Sequence, residues 1–158
     1  MKKLLIISSL IFVLCGCFAE NYNVGHPIAY IKYDSKDIKL EPTFISWSTQ
    51  GDQTSFKVQN MEDYTEELRP IEIVSGQLLK LYFQDSIDED GEYSSIKIEV
   101  KVSRDEELIL HYTEEPTSSF LEDQYMYQMP PEPGQYILQV EFSSSGGTAK
   151  YAGKLVVK

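Results

Sequence analysis

The chain has 158 residues, of which 25 are Asp or Glu and 14 Lys or Arg, giving a formal net charge of −11 at pH 7. So acidic a surface repels nucleic-acid phosphates and anionic lipid headgroups alike, which argues against DNA or RNA as partner and against a role reading membrane charge. The length suits one ordinary domain, and with only two cysteines its stability must come from a hydrophobic core rather than a disulfide framework.

The chain opens MKKLLIISSLIFVLCGCFAEN. Lys2 and Lys3 form a short positive n-region. The apolar run Leu4–Leu14 is too short for a permanent membrane span, which needs ~20 apolar residues, and fits the h-region of a secretory signal. Both cysteines close this run, two residues apart, where a C-x-C pair is open to three readings: a metal clip, a strained disulfide or a processing signal. Leu14-Cys15-Gly16-Cys17 resembles the lipobox of bacterial lipoprotein precursors, with Leu at −3, Gly at −1 and Cys at +1. The resemblance implies cleavage before Cys17, a thioether-linked diacylglyceryl group on Cys17, and loss of Cys15 with the signal. Modification of Cys15 instead would put Leu14 at −1 and Phe12 at −3, against that pattern. Two acyl chains, at ~0.8 kcal/mol per buried methylene, hold a protein at a membrane far more firmly than one myristoyl chain. Residues 1–16 are thus expected to be a cleaved signal helix, residues 17–26 the lipidated cysteine and a short tether, and residues 27–158 a single domain.

After residue 20 the dominant hydrophobic period is two, which predicts strands. Candidate strands follow one another at Ile28–Tyr33, Thr43–Ser48, Ser55–Gln59, Ile71–Val74, Gln77–Phe83, Leu108–Tyr112 and Tyr125–Met129. The clearest is Ser95–Val102, SIKIEVKV, with Ile96, Ile98, Val100 and Val102 on one face and Ser95, Lys97, Glu99 and Lys101 on the other. Tyr136, Leu138, Val140 and Phe142 repeat the alternation. A Ser-Gly-Gly turn then leads to Ala149, Tyr151, Gly153, Leu155 and Val157, so the two segments read as a C-terminal hairpin. Only Met61–Leu68, ahead of Pro70, has the composition of a short helix, and the proline would end it. In Thr43–Ser48, Ile45 and Trp47 share one face and are expected in the core, with Phe44 on the serine face.

Short strands split by Gly, Pro, Asp and Ser suggest an antiparallel sandwich or barrel. Pro133-Gly134-Gln135-Tyr136, just before the penultimate strand, resembles the corner tyrosine of immunoglobulin-like sandwiches, whose hydroxyl bonds back to the chain across the corner. The fold expected is therefore an all-β, antiparallel, immunoglobulin-like β-sandwich of about seven to nine strands. The chain also resembles small lipoproteins of Gram-positive bacteria, mostly of unknown function, through FISW (Phe44–Trp47), PIEIVSGQLL (Pro70–Leu79) and the closing Pro-Gly-x-Tyr hairpin (Pro133–Lys158). It lacks the Gly-Ser/Thr-Tyr lead-in and the following cysteine often found around that tryptophan. This resemblance supports fold and location and implies no reaction.

Signals for catalysis are sparse. His26 falls in the tether, where it is expected in solvent, and His111 on a strand, where it reads as a sheet residue; no serine sits in a Gly-x-Ser-x-Gly elbow. Zinc ligands are too few. Asp85–Glu92, DSIDEDGE, resembles half of a calcium loop, with Asp85, Asp88 and Asp90 as weak candidate ligands. Aligned on Gly91, however, it puts Lys97 where an EF-hand needs its closing glutamate. A solvated hairpin loop is the expectation there, and no cofactor is expected. The overall expectation is a non-enzymatic binding domain of the cell envelope, held at the extracytoplasmic face of the cell membrane by lipid on Cys17, with an unidentified protein or envelope partner. The alternative is an envelope hydrolase or calcium-dependent module using the acidic loop 85–92.

Overall fold

The computed structural model describes residues 25–49, 52–85, 93–116 and 124–158. The signal segment, Cys15, Cys17 and most of the acidic stretch, including Asp88 and Asp90, lie outside the described residues. Two β-sheets pack face to face. One has four strands: β1 (Pro27–Tyr33), β2 (Lys36–Lys39), β6 (Leu78–Asp85) and β9 (Tyr125–Gln128), in the order β2-β1-β6-β9. The other has seven: β3 (Glu41–Thr49), β4 (Asp52–Lys57), β5 (Pro70–Ile73), β7 (Lys97–Arg104), β8 (Glu107–Glu114), β10 (Gly134–Ser144) and β11 (Gly147–Val157). Their order is β4-β3-β11-β10-β7-β8, with β5 lying parallel to the end of β11.

The period-two pattern is realised as expected. Ile98, Val100 and Val102 of β7 are buried, as are Tyr136, Leu138, Val140 and Phe142 of β10. β10 and β11 form the expected hairpin in continuous register from Gly134↔Val157 to Ser144↔Gly147. With β6 and β9 on one sheet and β7, β10 and β11 on the other, and β8 added beside β7, the strands form the expected all-β sandwich.

The described residues hold eleven strands, more than the seven to nine expected. Ten of them overlap a candidate segment, and the strand without one is β2. β1–β2 and β7–β8 turn on Asp34-Ser35 and Asp105-Glu106, all with positive φ of 49° to 66°. These are two-residue hairpins whose backbone twist suits the flanking strands, built without the Asn-Gly or Asp-Gly pairs that announce such turns. The segment before Pro70 contributes strands to both sheets: β1 pairs with β6 and β2 with the far side of β1, while β3 and β4 extend the larger sheet beyond β11. Gly146 and Gly147 make the last turn close against β3, where a Cβ on Gly147 would lie 2.1 Å from the Ser46 carbonyl oxygen.

The one helix among the described residues, α1 (Met61–Glu67), ends before Pro70 as the sequence predicts, and it begins where the Asn60 side chain accepts a hydrogen bond from the Glu62 amide at 3.1 Å. Tyr64 donates to the Pro42 carbonyl at 3.2 Å, anchoring α1 on β3. Between the sheets, Trp47, Phe83 and Tyr93 surround Phe142 with ring centroids 5.0 to 6.2 Å away. Ile45 and Trp47 are both buried, as their shared face implied. Tyr136 is 2% exposed, and its hydroxyl donates to the Glu132 carbonyl at 2.9 Å, four residues upstream, so it forms the expected corner.

Candidate functional site

Of the candidates marked in the sequence, Asp85, His26 and His111 lie among the described residues. Asp85 is the last residue of β6, paired with Pro27; its companions Asp88 and Asp90 are outside the described residues, as is Cys17. Among the described residues no three His, Cys, Asp or Glu side chains gather as metal ligands. His26 is not fully solvated as expected: it is half-buried, its ring 3.5 Å from the Tyr151 hydroxyl. His111 lies on β8 opposite Lys101, an exposed sheet residue.

Strand register builds a site that no motif marks. On the outward face of the seven-stranded sheet one row of residues crosses the sheet from β8 to β4: Thr113, Glu99, Glu141, Lys150, Phe44 and Lys57. Above it lies an open cleft of about 560 Å³. Its floor is Gln139 and Glu141 of β10 with Thr148 and Lys150 of β11. Phe44, Val58 and Met61 form an apolar wall where the chain leaves β4 for α1, and Glu99 and Lys101 of β7 form a charged wall opposite.

The charges are arranged in pairs with a remainder. Glu99 is held by Lys97 at 2.6 Å and Lys101 at 3.0 Å, with His111 3.7 Å away. The Lys97 hydrogen bond, then that of Lys101, pulls the Glu99 carboxyl down to about 2. Glu141 accepts from Lys150 at 2.7 Å, and the Lys150 ammonium also lies 5.8 Å from the centre of the Phe44 ring. Lys57 is exposed and has no carboxylate within ion-pair distance among the described residues. Three lysines against two glutamates thus line the cleft of a chain whose net charge is −11.

Sequence reasoning put Phe44 on the serine face and Lys97, Glu99 and Lys101 on the solvent face, and the structure agrees. It missed their alignment with Glu141, Lys150 and Lys57. That alignment depends on the pairing of β3 with β11 and of β7 with β10, segments far apart in sequence. No family model matches the chain, and the search of curated proteins finds no relative for it.

Proposed function

We propose that the mature chain is a lipid-anchored extracytoplasmic domain of the cell envelope that acts by binding a partner rather than by catalysis. The observation that carries the reading is Leu14-Cys15-Gly16-Cys17 at the end of an apolar run behind two lysines, ten residues before the first strand. Nine residues, Phe18–His26, then separate the lipidated cysteine from β1, and at no more than ~3.5 Å each they reach about 30 Å. β1 starts at the pole of the sandwich that carries the β10–β11 turn and the end of β6. That pole faces the membrane, the turns at Asp34 and Asp105 face away, and the cleft opens sideways. The net negative charge leaves the acyl chains as the membrane contact.

The test is metabolic labelling with palmitate followed by fractionation. Cys17→Ser should lose the label and either leave the membrane fraction or accumulate unprocessed, while Cys15→Ser should keep both label and location. Equal labelling and retention of wild type and Cys17→Ser would refute the anchor.

A further inference from the structure

The cleft on the seven-stranded sheet has the chemistry of a ligand site, and the geometry points to an acidic sugar, a pyranose ring bearing a carboxylate, as its occupant. Its volume of about 560 Å³ falls within the range of small-molecule sites. From β3 to β7 the floor spans three inter-strand spacings, ~14 Å at ~4.8 Å each, enough for one or two sugar units laid across β10 and β11.

Three features of the lining select this class. The apolar wall of Phe44, Val58 and Met61 offers a surface for the C–H face of a sugar ring, while the Gln139 amide and Thr148 hydroxyl can each donate and accept hydrogen bonds. The carboxylates of Glu99 and Glu141 are acceptors only. They suit the many hydroxyl donors of a sugar, which an acidic peptide such as polyglutamate lacks. Lys57, at the end of the row on β4, is exposed and outside every ion pair among the described residues, so a single ligand carboxylate can reach it without displacing an existing partner. Lys101 and Lys150 already serve Glu99 and Glu141. Selectivity therefore comes from one charge over a polyol-binding floor, inside a protein whose overall charge repels anions elsewhere.

The inference rests on the reading of the chain as a binding domain, but anchoring and sugar binding are read by different assays, so either can fail alone. The full-length protein, purified in a detergent without sugar headgroups, is titrated calorimetrically with tetragalacturonate, with a neutral glucose tetramer and with a short polyglutamate. Tetragalacturonate should bind about tenfold more tightly than the neutral tetramer, the range expected of one charge-assisted contact. That preference should shrink in 0.5 M salt. Lys57→Gln should abolish the preference while leaving the weaker neutral binding and the melting temperature unchanged. Gln139→Ala should weaken both sugars, and Lys80→Gln, on the other sheet, should weaken neither. Absence of tetragalacturonate binding, equal affinity for the two tetramers, or insensitivity to Lys57→Gln would overturn the inference. Polyglutamate binding as tightly as tetragalacturonate would overturn the choice of a sugar.

Discussion

The same substitution at two buried tyrosines should have opposite signs. Tyr136 and Tyr127 are 2% and 3% exposed, so Tyr→Phe at either removes one hydroxyl from a packed ring and little else. The Tyr136 hydroxyl donates to the Glu132 carbonyl at 2.9 Å; deleting it loses a net hydrogen bond, ~0.5–1.5 kcal/mol. Glu132 is exposed, so water can take up its carbonyl and the cost stays in that range. The Tyr127 hydroxyl is buried with no hydrogen-bond partner among the described residues, and burial pushes its phenol pKa well above the ordinary 10.0. An orphaned hydroxyl costs ~1–3 kcal/mol of unreturned hydration, part of which phenylalanine recovers, less the small void left where the oxygen was. Tyr127→Phe should therefore stabilise by ~0.5–1.5 kcal/mol, and the two variants should differ by about 2 kcal/mol. In a domain of this size that separates their melting temperatures by several degrees. Urea denaturation with a shared m-value gives the difference directly. If Tyr127→Phe destabilises as much as Tyr136→Phe, the Tyr127 hydroxyl has a partner after all, such as a bound water, and the accounting for this part of the core is wrong.

Gly147→Ala should destabilise by ~2 kcal/mol or more, because its φ of 146° is strained for an L-residue and its Cβ would meet the Ser46 carbonyl oxygen; a thermal melt within a degree of wild type would contradict the close approach of β3 and β11. Glu99, whose carboxyl is drawn from 4.5 to about 2, binds its proton less readily folded than unfolded. It therefore contributes stability above pH ~4.5 that is lost as pH falls toward ~2. The pairs are solvent-exposed, so the contribution is below ~1 kcal/mol and fades with salt; Glu99→Gln should flatten the stability profile across that window, and an unchanged profile would show that Lys97 and Lys101 do not hold the carboxylate in solution.

Elements whose physics is local were legible in advance. The alternation in β7, β10 and β11 announced both strand and buried face, and Pro133-Gly134-Gln135-Tyr136 announced a corner whose hydrogen bond spans four residues. The short helix ahead of Pro70 was announced by its composition and by the proline that ends it. The hairpins at Asp34-Ser35 and Asp105-Glu106 were not legible, since their residues carry no strong preference for positive φ and β2 is polar along most of its length. The cleft was hidden for a different reason. Each charged lining residue sits on the solvent side of its own strand, where a charged side chain is ordinary. Only the lateral order of strands sets Lys57 and Phe44 beside Lys150, Glu141 and Glu99, and that order is decided by tertiary pairing.

β11 is flanked along its full length by β10, and on its other side by β3 as far as Ala152 and by β5 from Lys154. Between those two neighbours Gly153 leaves room for the Leu40 side chain, which a Cβ there would approach to 2.8 Å. Trp47 pairs with Gly147, about a hundred residues later in the chain, so the pairing that closes the larger sheet waits until those residues have been made. Until residues 147–157 emerge, β3, β5 and β10 each present an unsatisfied edge and most of the core stays open to water. Folding is thus deferred until β11 has emerged, and contacts this distant in sequence place it among slow, high-contact-order reactions. Until then a nascent chain of this design stays threadable through a narrow channel, and it is open to proteases and aggregation for the same interval.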